Sequence, residues 1–303
     1  MSASDRVQLP LTRAAAIVVT CAAIACATVA CSADAPTRSS AAESLPIAFS
    51  YDRDISVASA DGATVHPLGI DGVLPEWSPD GRTLLFLDYG VDKTTLWIAN
   101  EDGTNRQRLN TGVGTVSAGT WSPDGRSIAF YRQQQNAYPQ LIVMRLDGSQ
   151  LRVVSDSAEL SGYAPSWSTT GRIAFSRPTG SIWTVNPDGT QLTRTISISG
   201  DTFFTYPKWS HDGRMLTFIA SLPSPTGYGN ERILIANGDG TGRHFVTDGP
   251  HDERPVFSRG GESILFDRVT AGCHLFKVAV AGGAPIDLTP GRTHGECFGA
   301  SSR

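Results

Sequence analysis

The sequence predicts an all-β fold, a six-bladed β-propeller of four-stranded antiparallel blades closed by pairing the C-terminal strand with the N-terminal strands. Three observations carry that prediction. One motif recurs at a nearly constant interval, turn residues punctuate each copy at the same offsets, and the first copy lacks a leading strand that the end of the chain supplies. The composition agrees. The 303 residues include 31 Gly and 18 Pro, which is too many helix breakers for a helical protein and suits short strands joined by turns. A hydrophobic fraction of 40% with 18% charged residues allows a sizeable core and argues against wholesale disorder. The formal net charge of −4 offers no electrostatic footprint for nucleic acid.

The repeats read PEWSPDGRTLLF from Pro75, TWSPDGRSIAF from Thr120, PSWSTTGRIAF from Pro165, PKWSHDGRMLTF from Pro207 and PVFSRGGESILF from Pro255. Their lead aromatics, Trp77, Trp121, Trp167, Trp209 and Phe257, are spaced 44, 46, 42 and 48 residues apart, the period of a propeller blade. In each copy a first strand, a, ends at the aromatic-Ser pair. The chain then turns, with Pro79 and Pro123 pre-setting one dihedral and Gly81, Gly125, Gly171, Gly213 and Gly261 supplying positive φ. Strand b runs to a Phe (Phe86, Phe130, Phe175, Phe218, Phe266), and strand c is apolar and β-branched, as in Ile182-Trp183-Thr184-Val185. A second turn at Asp102-Gly103, Asp147-Gly148, Asp188-Gly189, Asp239-Gly240 or Gly282-Gly283 leads into strand d.

Residues 46–68 hold a strand b ending in Phe49, a strand c over Ile55–Ala58, the turn Asp61-Gly62 and a strand d, but no leading strand. The segment Glu296–Arg303 (ECFGASSR) aligns with Pro-x-Trp-Ser-Pro-Asp-Gly-Arg, placing Phe298 at the aromatic position. Pairing the two ends closes a ring and removes the exposed edges of an open array.

The Pro-x-Trp-Ser-x-Asp-Gly-Arg lead and the Asp-Gly second turn resemble the TolB-like β-propeller repeat, which also builds the propellers of prolyl oligopeptidase-type enzymes. The resemblance covers residues 46–303. It implies the fold and leaves function open, because this repeat serves many roles. The α/β domain that precedes the TolB propeller and the hydrolase domain of the peptidases are expected to have no counterpart here, so neither activity is expected.

The first 31 residues read as a signal peptide with a lipobox. Arg6 and Arg13 precede an apolar run from Ala14 to Ala30, which suits a signal-peptide core and falls short of a comfortable membrane span. Thr28-Val29-Ala30-Cys31 resembles the bacterial lipobox and makes Cys31 the candidate lipid attachment site. Ala33-Asp34-Ala35 offers an ordinary cleavage site, hindered by Pro36, and Ala23-Ile24-Ala25-Cys26 a weaker lipobox; an uncleaved anchor helix is the remaining reading. Residues 32–44, small and polar, read as a flexible tether to a propeller over 45–303. The expected location is the cell envelope, periplasm or cell surface, with a lipid anchor as the membrane contact.

Topology places the short a–b and c–d turns on one face of the ring and the variable b–c and d–a loops on the other, where binding residues are expected. All seven Tyr fall in those loops or at strand ends leading into them. The candidate binding residues are Tyr89, Tyr138, Tyr163, Phe203, Phe204, Tyr206 and Tyr228, since large amphipathic rings favour interfaces. His251, Asp252 and Glu253, with His294 and Glu296, form a second candidate group in adjacent d–a loops, able in principle to hold an ion or transfer protons. Their spacing matches no metal or hydrolase signature, so a structural role is expected, with no metal, cofactor or catalytic residue. Lys208, Glu76 and Glu296 are placed at the channel mouth. Cys273 and Cys297 fall in neighbouring blades and are a candidate disulfide for an oxidising compartment. The function expected is a monomeric, non-catalytic module that docks an envelope protein or peptide. The alternatives are a small-molecule or glycan receptor, and a metal-assisted lyase or hydrolase.

Overall fold

In each repeat the strand b and strand c segments are almost continuously apolar, which suits strands covered on both faces by neighbouring sheets. The computed structural model bears this out. It describes residues 46–90, 93–156, 164–224, 230–270, 272–290 and 297–302, with the side chains of 156, 297 and 298 excepted. The described residues form six four-stranded antiparallel sheets and no helix. The first sheet contains β1 (Ile47–Tyr51), β2 (Asp54–Ala58) and β3 (Val65–Asp71), joined on its inner side by β24 (Cys297–Ser302). Blade 1 is β4 (Val73–Trp77), β5 (Thr83–Tyr89), β6 (Thr94–Asn100) and β7 (Gln107–Arg108). Blade 2 is β8 (Thr115–Trp121), β9 (Ser127–Gln133), β10 (Gln140–Arg145) and β11 (Arg152–Asp156). Blade 3 is β12 (Ser166–Trp167), β13 (Ile173–Arg177), β14 (Ser181–Val185) and β15 (Thr193–Ile196). Blade 4 is β16 (Phe203–Trp209), β17 (Met215–Ser221), β18 (Glu231–Asn237) and β19 (His244–Phe245). Blade 5 is β20 (Asp252–Phe257), β21 (Ser263–Val269), β22 (Cys273–Ala279) and β23 (Ile286–Asp287). The innermost strands β4, β8, β12, β16, β20 and β24 touch in that order and return to β4, so the ring is closed.

The core lies between blades. Leu85, Leu87 and Leu96 of blade 1 pack with Trp121, Ile128, Phe130 and Ile142 of blade 2. The seam at the closing blade is built alike: Ala48, Ile55 and Ile70 meet Trp77, Leu84 and Phe86 on one side, while Ile47, Phe49 and Ala300 meet Leu265 and Leu275 on the other. Outer strands are mostly exposed, and three of them, β7, β19 and β23, are only two residues long, which leaves little edge for another strand to pair with.

The pairing of β24 corrects the sequence alignment. Ser302 faces Ile47 and Ser301 faces Ala48, just as Trp77 faces Leu84 and Glu76 faces Leu85. Ser302, and not Phe298, therefore occupies the lead position. The cause is a bulge common to the innermost strands. Three residues before the lead position, Leu74, Tyr206 and Arg254 take positive φ (53°, 58° and 51°), and Gly299 (83°) fills that place in β24. Hydrogen bonds lock the register. The Trp77 N–H donates to Ser301 Oγ (3.0 Å), as the Trp121 N–H donates to Glu76 Oε1 (3.0 Å) and the Trp209 N–H to Ser166 Oγ (3.0 Å). At these three seams the residue before the lead position accepts from the next blade.

The turns show why Ser, Asp and Gly recur. Ser78 Oγ donates to Asp80 Oδ1 (2.6 Å), the Arg82 N–H donates to the same oxygen (3.1 Å), and Gly81 closes the turn at φ 71°. Ser122 with Asp124 and Ser210 with Asp212 repeat the arrangement, and Thr104, Ser149, Thr190 and Thr241 serve Asp102, Asp147, Asp188 and Asp239 at the second turns. These hydroxyl and amide donors hold all seven carboxyls below the ordinary value of 3.8, and Ser59 does the same for Asp61. Each group binds its proton less tightly folded than unfolded, so its stabilisation is full above pH 3.8 and is lost as the pH falls through the lower folded values. An acid titration followed by circular dichroism should show stability falling below about pH 4, and Asp80→Asn with Asp124→Asn should flatten that fall. A titration that is flat from pH 5 to about pH 2.5 in the parent chain removes this role for the turn carboxylates.

Candidate functional site

The six innermost strands line a central channel. At the end where the a–b turns lie, it widens into a cavity of about 340 Å³ bounded by all six blades. The walls carry Trp77, Trp121, Trp167, Trp209 and Phe257, the rim carries Pro79, Pro123, Thr169, His211 and Arg259, and the position before each lead residue contributes Glu76, Thr120, Ser166, Lys208, Val256 and Ser301.

An ion pair spans the channel. Lys208 Nζ in blade 4 donates to Glu76 Oε2 in blade 1, the opposite blade, at 2.7 Å. Glu76 is fixed from its other side, because Oε1 accepts from Thr120 Oγ1 (2.6 Å) and from the Trp121 N–H, while the Glu76 carbonyl accepts from Trp121 Nε1 (3.1 Å). The two side chains are 13% and 19% exposed, so the pair is shielded and its geometry held. Beyond it the channel narrows around Leu74, Ala118, Ala164 and Tyr206. Burial pushes the Tyr206 phenol above its ordinary range.

The expected binding residues separate into exposed and buried sets. Tyr89, Tyr138 and Phe203 are exposed on the face of the b–c and d–a loops, Tyr89 beneath the Arg53 guanidinium. Phe204 is a correction: it is buried, and its ring meets Phe218 edge-on at 5.4 Å. Neighbouring strand residues point to opposite faces, so exposing Phe203 turns Phe204 inward. Tyr206 is also buried, turned into the channel by the bulge, and Lys208 lies toward the cavity at the opposite mouth. Asp252 is wholly buried and accepts from Arg268 Nε (2.6 Å) and Nη2 (2.9 Å), an internal bidentate pair. Glu253 pairs with Arg254, and His251 lies 3.8 Å from Glu231. Cys31, Tyr163, Tyr228, His294 and Glu296 lie outside the described residues. Among the described residues no group of three or more His, Cys, Asp or Glu could hold a metal ion. Cys273 is buried and disulfide-bonded.

Sequence reasoning passed over most of the cavity. Ser166, Ser301 and Thr120 look like parts of a structural repeat, and His211 and Arg259 look like turn residues. A signal was available: the position before the lead residue changes from blade to blade while its neighbours repeat.

A closed ring of four-stranded blades around a channel, with turns of one design and a cavity at one mouth, defines a six-bladed β-propeller. The family model for the TolB beta propeller domain matches residues 48–290, and the chain belongs to that family. A 55-residue stretch is 46% identical to the uncharacterized peptidase YuxL of Bacillus subtilis, covering 18% of this chain and 8% of that protein. Another, of 59 residues, is 41% identical to the Tol-Pal system protein TolB of Gluconobacter oxydans, covering 20% of this chain and 13% of that protein. The crystal structure of TolB from Acinetobacter baumannii superposes with a TM-score of 0.73 at 18% identity, over 86% of this chain and 66% of that one. The chain thus spans only part of the length of each of these proteins.

Proposed function

We propose that this chain is a non-catalytic docking module of the cell envelope, exported and anchored by lipid at Cys31. The observation that carries the reading is the exposure of large apolar side chains on the b–c and d–a face: Tyr89, Val113, Tyr138, Ile198, Phe203 and Val269 come from five blades and lie on a closed, rigid ring. Membership of the TolB beta propeller domain family supports protein docking and an envelope location. Buried apolar rings at an interface supply most of its affinity, and loops on a rigid frame bind with little ordering cost. The mechanism is surface complementarity.

The test is capture of an envelope protein by the purified mature chain through photo-cross-linkers placed next to Tyr89 and Phe203. The expected result is one specific adduct that disappears in a Tyr89→Ser, Tyr138→Ser, Phe203→Ser triple variant. An adduct that survives the triple variant assigns the docking face elsewhere. Fractionation of cells carrying Cys31→Ser tests the anchor, with release from the membrane expected.

We further infer that Cys273 pairs with Cys297, which opens β24 opposite Tyr51 in the neighbouring blade. Such a bond clamps the closing strand and contributes about 2–4 kcal/mol. Reduction should lower the melting temperature by roughly 5–15 °C. Peptide mapping without reductant should recover the two cysteines in one cross-linked fragment, and recovery in separate fragments ends this assignment.

A further inference from the structure

The side chains around the turn-face cavity are rich in hydrogen-bond donors and short of acceptors. Lys208 carries three ammonium protons and among the described residues has one partner, Glu76 Oε2, although only 13% of its side chain is exposed. The hydroxyl oxygens of Ser166, Ser301 and Ser302 each accept a backbone N–H, from Trp209, Trp77 and Arg259. Among the described residues no acceptor takes their own protons. The carboxylate present, Glu76, already accepts three donors. Ser166 stands one blade before Lys208 in the same layer, and Arg259 at the rim adds a second cation.

Burial of unsatisfied donors is costly, and a charge-assisted acceptor meets that need best. The apolar part of the wall is formed by Val256, Phe257 and indole rings, with Thr169 and His211 at the rim. At about 340 Å³ the cavity admits a small ligand group. We propose that this cavity binds a small carboxylate with an aromatic or apolar body. Its carboxylate docks on Lys208 Nζ and the Ser166 hydroxyl, and its body lies against the ring of aromatic side chains. The site is at the opposite end of the channel from the proposed docking face, so either assignment can fail alone.

The roles of Lys208 and Glu76 predict opposite signs. Lys208→Met removes the anchor. Glu76→Gln removes the carboxylate that competes for it, while its amide oxygen can still accept from Thr120 and the Trp121 N–H. The probes are phenylacetate and its neutral isostere phenylacetamide, titrated calorimetrically into the mature chain. Phenylacetate should bind saturably and at least about tenfold more tightly than the amide. Lys208→Met should weaken it by about tenfold or more, and Glu76→Gln should tighten it. N-acetylphenylalanine and its amide distinguish a peptide C-terminus from a free acid as the source of the carboxylate. Tighter binding of N-acetylphenylalanine than of phenylacetate assigns the peptide terminus, and the reverse assigns the free acid. Equal binding of acid and amide, no binding of either acid, or weakening in both variants overturns the proposal. Should Lys208→Met fail to fold, the sign of the Glu76→Gln effect decides alone.

Discussion

Replacing Asp267 by alanine is expected to lower the melting temperature by roughly 10 °C, through a loss of about 3–5 kcal/mol. Asp267 is buried in β21, where its Oδ2 accepts from Arg254 Nη1 (3.1 Å) and from the Gly299 N–H (2.9 Å). One carboxylate therefore joins the bulge of β20 to the bulge of β24, the strand that closes the ring. Burial raises its carboxyl above the ordinary value, and the Arg254 charge with the two hydrogen bonds offsets only part of that rise. Alanine takes from a largely buried guanidinium the more deeply buried of its two carboxylates, leaving it Glu253, and removes the acceptor of a buried backbone N–H, and each loss is costly. Asp267→Asn keeps an acceptor for Gly299 and should cost less. The surface pair Arg53–Asp71 is the control: its side chains are 43% and 70% exposed, so Asp71→Ala should change stability by no more than about 1 kcal/mol. Equal melting curves for Asp267→Ala and Asp71→Ala would show that the closing strand does not depend on this contact.

Phe218→Ala should cost a similar amount, about 3–5 kcal/mol, by a different route. The ring is fully buried between blades 3 and 4, against Ile182, Ile196, Leu234 and the edge of Phe204. Removing it forfeits the transfer free energy and leaves a cavity that paired sheets cannot readily collapse to fill. Phe203→Ala, one residue before the partner ring, removes a side chain that is 48% exposed and should have a far smaller effect. Thermal melts of the two variants decide the matter, because similar losses would mean that the interblade seam tolerates a void.

Both predictions rest on a fold whose outline was legible in one sequence. A repeat of about 44 residues with a fixed aromatic, a fixed turn and a fixed Phe leaves little room for any other arrangement, because each copy is a sheet that cannot bury its faces alone. Phe86, Phe130, Phe175, Phe218 and Phe266 are buried as their place in strand b requires. The closure of the ring was legible too, since residues 46–68 lack a strand that the other end supplies. Its register was not. Phe298 looks like the missing aromatic, yet Ser302 takes the place, because a bulge at Gly299 and the Ser301 hydroxyl set the pairing.

The candidate site divides along the same line. Tyr89, Tyr138 and Phe203 could be assigned to a loop face from topology alone, because order along the strands decides which end of the ring a loop occupies. Burial could not be read for Phe204, Tyr206 and Asp252, which lie one to three residues from exposed neighbours and are turned inward by strand alternation and by the bulges at Tyr206 and Arg254. The Glu76–Lys208 pair joins residues 132 apart in sequence. By itself the sequence determined the number of blades, the order of their strands and the chemistry of their turns, all of which follow from short-range pattern. The tertiary structure alone decided which side chains meet across the channel, because that depends on six separate strands converging on one axis.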